Sequence, residues 1–398
     1  MASAQQLPLT EAQARASAWD RERELLIRIS VLDPTPEDDA AVERLLGEPL
    51  DWNYIVVIAA RHKVLQLVWH NLVRGDWIKL AVTGSGLPEI WIQYIAQLYA
   101  MNRERNTRYL ETLEELGEGF AKAGLRVVVL KGGALVGTMY PPEARLLNDL
   151  DFIACRSDAP GIKEHLFGLG YRFGVYDYGA HELRPLERRV ERAWLFHNHT
   201  LPTFYKLSSS PFCPYYKVQV GFDFFDPFEE FSADGEGVVA RAVPKAPGSS
   251  VLVPVPEDTL VNLCAHIFRE GVSMVYDDFN VNWQLTKLCD LSSFVRRYDD
   301  SLDRSRFLGH VDGRGLRPAM YYGFHYTREI YGDESLEPWL ELVDPGEDKS
   351  FLTELRDGRK RAKAEGDFRE RFFSLRGVRG ELRGGWNRQF EKSEWSAT

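Results

Sequence analysis

The chain has 398 residues, of which 44% are hydrophobic and 12% aromatic, and its formal net charge is −10. This composition excludes global disorder and predicts a globular protein of two or three packed units. An acidic balance also disfavours a nonspecific nucleic-acid binder, because such proteins need a spread of cations along their surface.

The cysteine pattern and the hydropathy bear on the compartment. Cys155, Cys213, Cys264 and Cys289 are far apart and show no CxxC spacing, so neither a disulfide framework nor a zinc site is expected. The first residues lack the basic-then-apolar build of a signal peptide, and no apolar segment approaches the length of a membrane span. We therefore expect a cytoplasmic protein without a membrane partner.

Hydrophobic periodicity divides the chain into three regions. Residues 1–123 read as an N-terminal helical region, residues 124–245 as a core in which β-branched runs alternate with helices, and residues 246–398 as a C-terminal helical region with a basic tail. This order predicts an α+β fold with a small mixed β-sheet flanked by helices.

One helix of the N-terminal region is strongly apolar. Asp51 is its predicted N-cap. The residues that repeat at helical spacing after it are Ile55, Ile58, Ala59, His62, Leu65 and Trp69. The pattern predicts a continuous helix in which His62 is a packing residue.

The rest of the chain is organised around residues 126–155. The apolar run from Val127 to Leu130 has the length of a buried strand, and Lys131, Gly132 and Gly133 follow it directly. Glycines at that place allow backbone N–H groups to approach phosphate oxygens, and a helix-like stretch over residues 134–140 would add its positive end.

A second strand carries two carboxylates. Asp149 and Asp151 are two residues apart, so they project from one face, while Leu150 and Phe152 point into the core. Arg145, shortly before them, is a natural cationic partner for phosphate, as is Lys131.

The segment from Trp194 to Tyr205 has strand character, and a later strand over residues 216–226 has a polar face. Val218 and Val220 alternate with Lys217, Gln219 and Asp223 along it. We expect Asp223 to be a third carboxylate beside the first two, and Lys217 to reach phosphate from the same face.

Carboxylates and a phosphate-binding turn together point to nucleotide chemistry. Magnesium prefers oxygen ligands, and transfer of a phosphorus group requires cations that neutralise the phosphates and activate a hydroxyl. Asp149, Asp151 and Asp223 are therefore the candidate ligands and catalytic residues for two Mg²⁺ ions, with Mn²⁺ as an alternative.

The motifs also resemble a known family. The segment LKGGAL, the tyrosine of GTMY, Arg145 and then NDLDFI are similar to the pattern of a nucleotidyltransferase family within the polymerase-β-like superfamily. The resemblance extends over about residues 45–300. It implies transfer of a nucleoside monophosphate from a nucleoside triphosphate to an acceptor, with release of pyrophosphate.

Several alternatives stay open at this stage. A kinase-like transfer of the γ-phosphoryl group needs the same cations, and a non-catalytic binding protein could keep the fold. The acceptor is open as well, with a small molecule, a peptide or a protein favoured over RNA. The roles of four polar residues, His197, His199, Lys287 and Asp290, are also open, as are the nucleotide base and the oligomeric state.

Overall fold

A computed structural model describes residues 20–197, 200–225, 231–358 and 360–374. The α-helices before the first strand are α1 (Asp20–Ile29), α2 (Pro36–Leu46), α3 (Trp52–Arg61), α4 (Leu65–Arg74), α5 (Ile78–Thr83) and α6 (Glu89–Lys122). Those that follow are α7 (Lys131–Leu135), α8 (Ala159–Gly168), α9 (Arg188–His197), α10 (Gly235–Arg241), α11 (Pro256–Gly271), α12 (Met274–Asp278), α13 (Leu285–Tyr298), α14 (Arg304–Asp312), α15 (Arg317–Tyr331), α16 (Glu337–Leu342) and α17 (Phe368–Phe372).

Among the described residues, a mixed sheet of eight strands occupies the middle of the chain. Its strands are β1 (Val127–Leu130), β2 (Leu150–Ala154), β3 (Arg172–Asp177), β4 (Glu182–Pro185), β5 (Phe204–Ser210), β6 (Cys213–Gly221), β7 (Val243–Pro244) and β8 (Leu252–Val253). They lie in the order β4-β3-β5-β6-β2-β1-β8-β7, and a separate hairpin joins β9 (Glu354–Asp357) to β10 (Lys360–Lys363). The predicted α+β class with a mixed sheet is confirmed.

The centre of the sheet brings together the segments identified from sequence. Strand β1 pairs antiparallel with β2, and β2 pairs parallel with β6. In that register Leu150 pairs with Val218 and Asp151 pairs with Gln219. Alternation of side chains therefore places Asp151, Lys217 and Gln219 on the same face of the sheet.

The two faces of the sheet have separate hydrophobic cores. Val127, Val129, Leu150 and Phe152 pack with α6 and α8. Val128 and Ile153, on the opposite face, pack in a cluster that contains both the N-terminal and the C-terminal helices. Each fully buried Val or Leu contributes about 1.5–3 kcal/mol relative to an exposed one, so this shared cluster fixes the two helical regions against the polar face of the sheet.

The helix predicted to continue from Asp51 through Trp69 is interrupted. Asp51 accepts hydrogen bonds from the N–H groups of Asn53 and Tyr54, as a cap does. However, α3 ends at Arg61 and α4 begins only at Leu65, because Lys63 adopts a left-handed backbone conformation with φ +56°. Hydrophobic spacing continues across the break, which is why sequence periodicity did not reveal it.

Two other predictions of local structure are wrong. Residues 134–140 do not form a helix of that length, since α7 ends at Leu135. Residues 194–197 belong to α9, whereas the pattern predicted extended structure there. His197 is the last residue of that helix, and His199 lies outside the described residues. Within the part of the chain that the structure describes, no helix has both the length and the apolarity to cross a membrane.

The glycine pair is required for close packing. A Cβ atom at Gly133 would lie 2.5 Å from Cγ2 of Val129 and 3.3 Å from Cδ2 of Leu150. Both neighbours are completely buried strand residues, so neither can move aside easily.

We predict that Gly133→Ala lowers the free energy of unfolding by about 1–3 kcal/mol, because it overpacks the core between β1, β2 and α7. Urea denaturation measures the change. Gly309→Ala is the matched control, since Gly309 is inside α14 and a Cβ atom added there would meet nothing within 4 Å; it should leave stability equal or slightly higher. Equal effects of the two substitutions would contradict the prediction.

Candidate functional site

Asp149 and Asp151 stand at the start of β2, each beside a lysine. Nζ of Lys217 lies 2.9 Å from Oδ2 of Asp149, and Nζ of Lys131 lies 3.2 Å from Oδ2 of Asp151. The four side chains are 19–25% exposed, so solvent reaches them and they do not form a sealed core; the space that they line is called the groove. The structure therefore brings together Lys131, Asp149, Asp151 and Lys217 from three different segments.

The two carboxylates differ in acidity. Burial raises the pKa of Asp149, but the Lys217 ammonium outweighs this effect, and the net shift is downward. Burial raises the pKa of Asp151, and the charge of Asp149 adds to the rise although Lys131 opposes it, so the net shift is upward. Asp149 is thus held in its ionised form, and an additional cation would favour the ionised form of Asp151.

The long helix α6 positions the segment that precedes Asp149. The amides of Asn102 and Asn106 donate to the carbonyls of Glu143 and Arg145 at 2.9 and 2.7 Å, respectively. The hydroxyl of Tyr109 donates to the carbonyl of Asn148 at 3.0 Å.

Tyr109 also fixes the neighbouring strand. Its hydroxyl accepts from the backbone N–H of Lys217 at 3.3 Å. Asn102, Asn106 and Tyr109 lie at helical spacing on one buried side of α6. Polar residues at that spacing in the sequence could have indicated that this helix positions a neighbouring segment.

Asp223 does not join the other carboxylates. Strand β6 ends at Gly221, which pairs with Ile153 of β2. Gly221 is therefore two residues along the strand from the level of Asp151, a distance of about 7 Å, and Asp223 follows it. Asp223 instead accepts hydrogen bonds from the N–H groups of Phe225 and Ala233, each at 3.0 Å.

The expected third carboxylate is therefore missing from the groove. Among the described residues no group of three His, Cys, Asp or Glu side chains is placed to hold a metal ion. The residue on β6 that pairs with Asp151 is Gln219, a neutral amide. Sequence alternation identified the correct face of β6 but extended the strand too far.

Arg145 is bound to a partner inside the protein. Its guanidinium donates to both carboxylate oxygens of Asp290, from Nε at 2.9 Å and from Nη2 at 2.7 Å, and both side chains are almost fully buried. A Cβ atom at Gly132 would lie 2.4 Å from Nη1 of Arg145, so a glycine at this position leaves the space that the guanidinium occupies. In this geometry Arg145 and Asp290 join the core to α13, and neither presents a free charge to phosphate.

The glycine turn is enclosed rather than open. Gly132 and Gly133 are buried, and Lys131 carries the left-handed conformation of the turn, with φ +50°. Nζ of Lys245 donates to the carbonyls of Gly133 and Val136 at 2.8 and 2.9 Å and holds the end of α7. Burial lowers the pKa of Lys245 to about 8.

A second polar group comes from the C-terminal helices. Glu270 of α11 accepts from Nε2 of His266 at 2.9 Å and forms an ion pair with Lys287 of α13. Burial, together with the charge of Lys131, lowers the pKa of His266 to about 3, so this ring is neutral at pH 7. The role of Lys287 was open from the sequence, whereas His266 and Glu270 were missed because they lie within an ordinary amphipathic helix.

The buried pair gives a test of its structural role. We predict that Asp290→Asn lowers the free energy of unfolding by about 3 kcal/mol or more, because it leaves the Arg145 guanidinium buried without a counter-charge. Chemical denaturation measures the loss. Asp39→Asn, which breaks the half-exposed pair with Arg74, is the control and should cost less than about 1 kcal/mol. A small effect at Asp290 would contradict the assigned role.

Comparison with known proteins agrees with the motif resemblance. No curated protein and no solved structure matches the chain. The model of the family described as uncharacterised nucleotidyltransferase matches residues 48–332, more than half of the chain. The matched span includes α3, the whole sheet and helices α11 to α15. The chain therefore belongs to this nucleotidyltransferase family.

Proposed function

We propose that the protein is a Mg²⁺-dependent nucleotidyltransferase whose site is the groove around Asp149 and Asp151. The observation that carries the proposal is the pairing of these two carboxylates with Lys131 and Lys217 on the polar face of the sheet, where all four side chains stay partly exposed. The groups required by a metal–triphosphate complex, oxygen ligands and ammonium groups, are thus adjacent.

The donor set fits one magnesium ion. Mg²⁺ is usually held by one or two carboxylates together with phosphate oxygens of the substrate, and Asp149 and Asp151 supply that number. When bound, the ion would neutralise phosphate charge and favour ionisation of an attacking hydroxyl. With Gln219 in place of a third carboxylate, one ion replaces the two expected from the sequence.

The residues of the groove would act mainly by positioning. The donor triphosphate lies along the lysines, and an acceptor oxygen attacks the α-phosphorus as the bond to pyrophosphate breaks. Water reaches the site, since the side chains of Asp149 and Asp151 are 25% and 19% exposed. The acceptor's proton therefore passes to solvent. The acceptor is a small molecule, a peptide or a protein in this proposal.

A second candidate is nucleotide binding without transfer. Lys217 and Lys131 already compensate Asp149 and Asp151, so the two carboxylates are stable without a metal ion. The absence of a third carboxylate from the described groove also removes the group expected to receive the acceptor's proton.

Transfer is tested with nucleoside triphosphates labelled at the α position, using cell extract as the source of acceptors. We predict label on an acceptor in the presence of Mg²⁺, and a loss of at least about 100-fold in Asp149→Asn, because the remaining carboxylate holds the cation poorly. Asp300→Asn, at an exposed position, is the control and should retain full transfer.

The position of the label distinguishes the alternatives. Label transferred only from the γ position would indicate a kinase-like reaction. Binding of the triphosphate without transfer of either label would favour the second candidate.

The number of metal ions gives an independent prediction. Gln219→Glu introduces a carboxylate beside Asp151 on the neighbouring strand, so we expect it to add a second Mn²⁺ per protein. The count is measured by titrations followed by electron paramagnetic resonance with a bound non-hydrolysable triphosphate. Gln93→Glu adds the same charge on the exposed part of α6 and should leave the count at one. A wild-type count of two would refute the one-ion assignment.

A further inference from the structure

Lys63 lies in the break between α3 and α4, beside the groove. The neighbouring residues attach this break to the C-terminal region: the backbone N–H of Leu285 donates to Nδ1 of His62 at 3.1 Å, and the N–H of Thr286 donates to the His62 carbonyl at 3.3 Å. Arg61 donates to the carbonyl of Asn280 at 3.2 Å. The position of Lys63 is therefore fixed by the contacts of the two residues that precede it.

The ammonium of Lys63 is close to the charged groups of the site. Glu270 and Asp149 attract this ammonium, whereas Arg145 and Lys217 repel it. Burial lowers its pKa, and the charge of Glu270 raises it again in part. Lys63 is thus a half-buried cation from the N-terminal region next to the carboxylates of the sheet.

Lys63 differs from the other lysines of the groove in having no carboxylate partner. Lys131 pairs with Asp151, Lys217 with Asp149 and Lys287 with Glu270. Within residues 20–197, 200–225, 231–358 and 360–374, the side chain of Lys63 has neither an ion pair nor a hydrogen bond.

The groove consequently has an excess of positive charge. Among the described residues four ammonium groups face three carboxylates there, while Arg145 and Asp290 neutralise each other. A half-buried ammonium without a counter-ion has lost part of its hydration, and a bound anion would compensate that loss. The backbone of Lys63 is also held in the left-handed region, which non-glycine residues adopt rarely and often at functional sites.

We infer that Lys63 binds the polyphosphate tail of the nucleotide and closes the groove from the N-terminal region. The identification of the anion as a nucleotide's polyphosphate rests on the proposed function. Phosphate oxygens suit an ammonium donor, and Lys63 is close to Asp149, where the metal-binding end of the tail would lie. The N-terminal helical region would then contribute directly to substrate recognition.

Calorimetry with inorganic tripolyphosphate in EDTA tests this inference without metal or catalysis. We expect wild-type protein to bind, and Lys63→Asn to bind at least about tenfold more weakly through loss of one charge-assisted contact. Asparagine tolerates the left-handed backbone, so the substitution preserves the break between the helices. Lys63→Arg should retain most of the affinity, and Lys79→Asn, at an exposed position in α5, should retain all of it.

The outcomes separate this inference from the proposed function. Unchanged affinity in Lys63→Asn, or no binding of tripolyphosphate by the wild type, would overturn it. Binding that depends on Lys63 in a protein that transfers no labelled nucleotide would support the inference and refute the proposed activity. Labelled transfer that persists in Lys63→Asn with unchanged affinity would support the activity alone.

Discussion

Two neighbouring aspartates at the start of one β-strand need cations, and much of the structure around them supplies and places those cations. Asp149 and Asp151 are too close to be ionised together at low cost without positive charge nearby. Lys217 comes from the adjacent strand and Lys131 from the turn after β1, so the compensation depends on the register of the sheet. The resulting groove combines the carboxylates that bind a divalent cation with the ammonium groups that bind phosphate.

The helices on each side are part of this arrangement. Helix α6 fixes the segment before Asp149 through hydrogen bonds to its carbonyl groups. The pair of Arg145 and Asp290 ties the same segment to α13, and the break at Lys63 is hydrogen-bonded to the start of that helix. A site built from three regions in this way can respond to a change in any of them.

Much of the fold could be predicted from sequence, because the relevant signals are local. The apolar run of β1, the alternation in the second half of β6 and the cap at Asp51 each depend on a few adjacent residues. The strand that carries Asp151 was predictable for the same reason, although it begins at Leu150, so that Asp149 precedes it.

The misses share a different cause, which is dependence on distant partners. Asp223 continues the alternating pattern, but the strand ends before it and its carboxylate accepts a hydrogen bond from the backbone N–H of Ala233. Arg145 has a side chain suited to bind phosphate, yet the carboxylate of Asp290, 145 residues away in the sequence, binds it. No local pattern reports which charge is left unpaired once the chain has folded.

The most direct test of the central claim is a crystal structure with Mn²⁺ and a non-hydrolysable nucleoside triphosphate, in which anomalous scattering locates the metal. We expect one Mn²⁺ peak between the carboxylates of Asp149 and Asp151, with the phosphates extending toward Lys63. A peak at Asp223, or a nucleotide bound away from the groove, would contradict the proposed site.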